Sequence, residues 1–140
     1  METSGCLRHQ IIKRLTAQPT EKVADAAVEL WAQMATQIIS IVGEGGFDSL
    51  YARSLYLNQT IFPWLAADSA FPQTGSRFAN LKMNFEGQTP ALAIEANCLL
   101  LITFTDILAS LVGELLTIRI LDTAWNNNTQ GTAGKELKNE

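Results

Sequence analysis

The stretch that decides the fold is residues 99–125, LLLITFTDILASLVGELLTIRILDTAW, the most apolar part of the chain. Gly113 and Glu114 divide it into a long segment and a short one. An earlier stretch, residues 30–65, has a similar plan around Gly43 and Glu44. We expect each glycine to end one helix in the left-handed conformation, and glutamate favours the positively polarised start of the next. Both stretches therefore predict a helix, a break and a second helix.

The two breaks share a pentapeptide, SIVGE at residues 40–44 and SLVGE at residues 110–114. Two interpretations stay open: duplication of one helix–break–helix unit packed about a pseudo-twofold axis, or convergence on a common helix-ending sequence. The copies also differ, because Leu115-Leu116 stand where the first copy has Gly45-Gly46. We therefore expect an open turn at the first break and a tighter kink at the second.

Apolar residues at helical spacing along the rest of the chain predict an all-α bundle of five to six helices. Thr20 is the expected N-cap of one long helix, and Thr89-Pro90 is a strong start signal for another. The predicted helices cover residues 6–17, 21–42, 47–62, 76–85, 90–112 and 114–125.

The expected domain organisation follows from these helices. Residues 1–20 form an N-terminal arm with a short amphipathic helix on the surface, and residues 66–75 form a loop. A single helical domain spans residues 21–125, with repeat units at 21–65 and 90–125. Residues 126–140 are polar and have no periodic apolar face, so they predict a disordered tail.

Composition limits the classes of function. The 140 residues suit one domain, and 17% charged residues is below the roughly 25% usual for soluble domains. The helix at residues 90–112 is apolar around most of its circumference, so we expect a homodimer formed through it. The net charge of -4 argues against a nucleic-acid partner, since phosphate binding needs a clustered positive field.

The same helix, residues 90–112, is long enough to cross a membrane, which takes about 20 apolar residues. It contains Glu95, Asn97 and Asp106, however. A charge at the centre of a membrane helix costs roughly 2.5–3.5 kcal/mol on insertion scales. We therefore expect no membrane span.

The residues that usually carry catalysis or bind metals are sparse. His9 is the single histidine and lies in a segment expected to be mobile. No phosphate-binding loop, dinucleotide fingerprint, nucleophile elbow or zinc spacing occurs. We expect no catalytic residue, no metal site and no cofactor. The helix-break residues are interpreted as structural: Gly43, Glu44, Gly45, Gly46, Gly113 and Glu114.

Six residues are candidate contacts for a ligand or a partner. The aromatic ones either pack as plain core or line an apolar pocket between the repeats: Trp31, Phe62, Trp64 and Trp125. Arg53 forms a capping ion pair near Glu44 and Asp48, or anchors an acidic ligand. Asp106 pairs with Arg119 or Arg53, or faces a partner chain.

One resemblance rests on LW at residues 30–31, IVGEGGFDSLYARSL at 41–55, FPWL at 62–65 and the stretch at 100–125. With this pattern the chain resembles a group of short, uncharacterised bacterial helical proteins with a repeated Gly-Glu helix break. The resemblance covers residues 30–65 and 99–125. It implies a cytoplasmic bacterial helical protein and no activity.

The sequence as a whole favours a non-enzymatic interaction or regulatory module that is homodimeric. The alternative is a small-molecule-binding or sensor domain with an aromatic-lined apolar pocket between the repeats.

Overall fold

A computed structural model describes residues 3–17, 22–65 and 78–126, with side chains from residue 7 to residue 125 of those ranges. This part of the chain is 89% helical and has no strand. Its five α-helices are α1 (Thr3–Thr16), α2 (Val23–Asn58), α3 (Ala79–Glu86), α4 (Pro90–Val112) and α5 (Glu114–Leu121). A 3₁₀ turn at Pro63–Leu65 follows α2, and a π-helical turn at Asp122–Asn126 follows α5. The prediction of an all-α helical bundle is confirmed.

Helix α4 is central and has the bounds predicted from the sequence. The Thr89 side chain accepts a hydrogen bond from the Leu92 N–H at 3.2 Å, and Pro90 occupies the first helical turn. Helices α1, α2, α3 and α5 all pack against α4. The apolar circumference of α4 is therefore covered to a large extent by helices of the same chain.

By length and composition, α4 could also cross a membrane, with a mean hydropathy of 1.7. In this structure 44% of that apolar window is buried inside the chain. The central helix of a globular fold meets the same two criteria, so they do not separate a core helix from a membrane span.

Both helix breaks have the same backbone geometry. Gly43 has φ +84° and ψ 165°, and Gly113 has φ +100° and ψ 151°. This positive-φ, extended-ψ region is open almost only to glycine, and it is not the left-handed cap expected from the sequence. The expected difference between the breaks is also wrong, because α2 resumes at Glu44 just as α5 begins at Glu114. Gly45 and Gly46 are helical residues of α2, so no open turn forms there.

The two breaks also share their local contacts. Ser40 Oγ donates to the Gln37 carbonyl and Ser110 Oγ to the Ile107 carbonyl, each at 2.7 Å. Burial follows a similar order in both units. The equivalent positions that are buried in both include Trp31 and Leu101, Ile38 and Leu108, Phe47 and Thr117, Leu50 and Ile120, Tyr51 and Leu121. The two units therefore fold alike around the glycine, while their origin by duplication stays a prediction.

The equivalence extends to a helix that the pentapeptide did not indicate. At the 70-residue offset between the two pentapeptides, Arg8 of α1 is equivalent in sequence to Phe78, the N-cap residue of α3. Helix α1 packs on α4 and α5, whereas α3 packs on α2. Each unit thus has a first helix that packs against the long helix of the other unit.

The packing of α1 corrects the description of residues 1–20 as a surface arm. Ile12 is fully buried and Arg8 is only 4% exposed. Amphipathic spacing makes α1 a helix, but it does not show which surface covers the apolar face. The predicted Thr20 cap, the loop at residues 66–75 and the tail after residue 126 lie outside the described residues.

Candidate functional site

The densest polar cluster in the described part of the chain joins α1 to the α4–α5 break. We call it the Arg8 cluster; its members are Arg8, His9, Thr105, Asp106 and Glu114. Arg8 Nε and Nη2 donate to the two carboxylate oxygens of Glu114 at 2.6 and 3.1 Å. Arg8 Nη1 donates to Asp106 Oδ1 at 2.6 Å and to Thr105 Oγ1 at 2.9 Å. His9 Nε2 lies 2.8 Å from the same Asp106 oxygen.

The electrostatics of the cluster keep Arg8 charged. Burial lowers the pKa of Arg8, but the hydrogen bonds and charges of Glu114 and Asp106 outweigh burial, so the pKa is above its ordinary value. The contact of Arg8 with Glu114 is bidentate, which is the geometry that makes arginine–carboxylate pairs specific. The Asp106 side chain is 48% exposed and that of Glu114 27% exposed, so water screens the Asp106 pair more.

The backbone positions these groups across the break. Thr105 and Asp106 lie near the end of α4, and Glu114 is the first residue of α5. The kink at Gly113 therefore sets where Glu114 lies relative to α4. Arginine keeps its proton at neutral pH and is therefore a poor acid catalyst. The chemistry of this cluster is to hold α1 across the break between α4 and α5.

Exposed leucines lie beside the cluster in sequence. Leu111 is 67% exposed and Leu115 74% exposed, and Leu116 is also exposed. We call these three residues the α4–α5 corner. At the equivalent corner of the first unit Ile41 is 50% exposed, but Gly45 and Gly46 replace the other two leucines. The apolar surface is therefore larger at the second break.

The structure does not gather the four predicted aromatic contacts into one pocket. Trp31 is fully buried in a cluster with Tyr51, Phe78 and Phe104, at ring-centroid distances of 5.3–6.0 Å. Its Nε1 donates to Asn97 Oδ1 at 2.8 Å. This part of the aromatic set is core, which was one of the two interpretations of the sequence.

The other three aromatic candidates belong to or pack against the same hydrophobic core through different contacts. Phe62 and Trp64 are 5.7 Å apart, and Trp64 also contacts Phe85 at 6.1 Å. Trp125 is buried and its Nε1 donates to the Leu30 carbonyl at 3.0 Å. Each indole nitrogen of the two buried tryptophans has a hydrogen-bond acceptor within the chain.

Of the two charged candidates, one belongs to the Arg8 cluster and one does not. Asp106 pairs with Arg8 and His9, so the expected pairing with Arg119 or Arg53 is wrong. Arg53 is exposed on α2. Arg8 was missed because nothing near it in sequence indicates a partner about 100 residues away. Its one local signal is the four-residue spacing to the apolar Ile12.

Two of the cavities among the described residues lie between helices. The larger, of about 310 Å³, lies between the start of α2 and the turn from α3 to α4, and its lining includes Lys22, Asp25, Phe85, Glu86 and Gln88. The smaller, of about 60 Å³, lies between α1, α2 and α4 and includes Leu15, Thr16, Ile94 and Asn97. None of the six predicted contacts lines either cavity.

Within the described ranges, no group of three or more histidine, cysteine, aspartate or glutamate residues could hold a metal ion. In the Arg8 cluster the guanidinium already occupies the space between the two carboxylates. Comparison with models of known protein families, with curated proteins and with solved structures finds no match for this chain.

Proposed function

We propose that this chain is a non-enzymatic interaction module of the cytoplasm that forms a homodimer through the C-terminal end of the helix at residues 90–112. The observation that carries the proposal is the exposure of Leu111 and Leu115 at the α4–α5 corner. The remainder of α4 packs against four helices of the same chain. An exposed apolar patch at the end of a central helix is typical of a protein–protein contact.

The corner can supply a moderate binding energy. Full burial of an exposed leucine side chain is worth roughly 1.5–3 kcal/mol, and somewhat less where part of it is already covered. Weighted by their exposed fractions, three leucines from each of two copies then contribute about 5–11 kcal/mol. Association costs about 4–15 kcal/mol in lost translational and rotational freedom. We therefore expect a dimer that depends on protein concentration.

Sedimentation velocity over a range of concentrations tests the proposal, with Leu111→Lys as the disrupting variant. Ile41→Lys is the matched control, because Ile41 holds the equivalent position at the first break. We expect Leu111→Lys to be monomeric where the wild type and Ile41→Lys dimerise. A wild-type chain that stays monomeric at high concentration, or equal effects of the two variants, contradicts the proposal.

The cavity beside Asp25 supports a second proposal, a small-molecule-binding domain. Its volume of about 310 Å³ is at the lower end of the range of ligand pockets. Its walls combine the apolar Phe85 with the charged Lys22 and Glu86. Native mass spectrometry of the purified chain should then show a bound small molecule, which is lost on Gln88→Trp. A wild-type chain of bare protein mass counts against this function.

A further inference from the structure

The two equivalent helices α1 and α3 are attached by different chemistry. The Phe78 ring, at the start of α3, contacts Trp31, Phe47 and Tyr51 at centroid distances of 5.5–6.1 Å. Leu81 and Phe85 of α3 are also buried. At the position equivalent to Phe78, α1 has Arg8, held by four hydrogen bonds.

This difference makes the attachment of α1 the more sensitive of the two to salt. Burial of Phe78 and Phe85 stabilises α3 through apolar area, which salt does not screen. The attraction between Arg8 and its carboxylates is largely offset by the cost of removing the guanidinium from water. The attraction also weakens as ionic strength rises, because both carboxylates are partly exposed. A rise in ionic strength therefore weakens the attachment of α1 more than that of α3.

The surface that α1 leaves is specific for a helix of the same kind. Leu15 and Thr16 lie near Ile94, whereas Arg8 lies at Asp106, so α1 runs along α4 in the opposite direction. We define the α1 seat as the face of α4 from Ile94 to Asp106 together with Glu114. It offers two carboxylates at one end and an apolar surface along the rest. It fits an amphipathic helix with an arginine one turn before an aliphatic residue.

We propose that the α1 seat accepts α1 of a second copy, so that two copies exchange their first helices. Charge complementarity between Arg8 and the Asp106 and Glu114 carboxylates is the same between copies as within one, so the exchange needs no new surface. Leu111 and Leu115 of the α4–α5 corner flank Glu114 in sequence. The proposal rests on the homodimer proposed above, because an exchange of helices needs two copies that are held together.

A charge exchange between two variants of the full chain tests the proposal. One variant is Arg8→Glu, and the other combines Asp106→Lys with Glu114→Lys. Each alone should lose about ten- to a hundredfold of the hydrogen-exchange protection of α1, since the reversal places like charges side by side at a partly buried contact. The amides of α3 should keep their protection in both variants and serve as the internal control.

In an equimolar mixture, exchanged helices pair the native Arg8 with native carboxylates and the introduced glutamate with the introduced lysines. We expect α1 protection to return and mixed dimers to appear in native mass spectra. Mixed dimers with unprotected α1 overturn the exchange but leave the homodimer standing. If the wild-type chain is monomeric, both the homodimer and the exchange are refuted.

A second measurement avoids charge reversal and covers the case in which those variants do not fold. With Cys6 and Cys98 replaced by serine, one chain carries His9→Cys and another Asp106→Cys, since His9 and Asp106 are in contact within one copy. Mild oxidation of the mixture should give a covalent dimer. If no covalent dimer forms while a chain with both substitutions closes its own disulfide, α1 does not exchange.

Discussion

Replacing Gly43 or Gly113 with alanine tests the physical cause of the two helix breaks. A β-carbon at either position has no atom within 4 Å, so the whole effect comes from the backbone. Their conformations, φ +84° and +100° with extended ψ, cost a non-glycine residue about 1–3 kcal/mol. Alanine recovers about 0.4–1 kcal/mol by restricting the unfolded chain. We expect a net loss of roughly 1–2 kcal/mol at each position.

Gly45→Ala is the matched control, two residues further along α2. Gly45 is an exposed helical residue, and a β-carbon there also has no atom within 4 Å. Alanine should stabilise this position by about 0.5–1 kcal/mol, because glycine is the poorer helix former. Gly46 is unsuitable as a control, since its β-carbon would lie 3.0 Å from the Val42 side chain.

Urea unfolding at constant temperature measures all three variants. The midpoint should fall for Gly43→Ala and Gly113→Ala by similar amounts and rise for Gly45→Ala, with unchanged slopes. The reasoning is wrong if Gly43→Ala is as stable as the wild type, or if Gly45→Ala loses as much as Gly43→Ala. Unequal losses at Gly43 and Gly113 would contradict the equivalence of the two kinks.

Two further predictions concern single polar contacts. Asn97→Ala removes the acceptor of the buried Trp31 Nε1, so it should lower the free energy of unfolding in urea by about 1–3 kcal/mol. Gln33→Ala is the control at an exposed contact and should change that free energy very little. Equal losses of stability in the two variants would refute the reasoning. Lys82→Met should lower the thermal midpoint slightly at pH 6 and not at pH 3. The reason is that the hydrogen bond from Lys82 lowers the pKa of the exposed Asp25. The stabilisation is therefore present above the ordinary aspartate pKa and is lost as the pH falls below about 4. A difference of the same size at both pH values would show that the ion pair is not its cause.

Much of the local structure followed from the sequence. Thr89-Pro90 set the start of α4, and the apolar spacing gave its full length. Glycine at residues 43 and 113 marked both breaks, because it is the residue that tolerates their backbone angles. The detailed geometry of the breaks was not predictable, since left-handed and extended positive-φ conformations both favour glycine.

The candidate site was much less predictable. Asp106 stood out as a charge in an apolar helix, but its partner Arg8 is about 100 residues distant, and nothing near Arg8 in sequence indicates that pairing. The aromatic residues all belong to or pack against one hydrophobic core, yet Trp31 and Trp64 have different ring partners and neither lines either of the two cavities. Side-chain chemistry gives the kinds of contact available and not which ones are made.

The sequence by itself determined that the chain is helical, where its longest helices begin and where they kink, because caps, periodicity and glycine conformation act over a few residues. The tertiary structure alone decided that α1 packs on α4, that Arg8 joins the two carboxylates, and that four helices of the chain pack against α4 while Leu111 near its end remains exposed. Apolar attraction has no direction, so the pattern of an amphipathic helix shows that one face must be buried but not which helix buries it. The choice of cover depends on how all five helices fill the interior together.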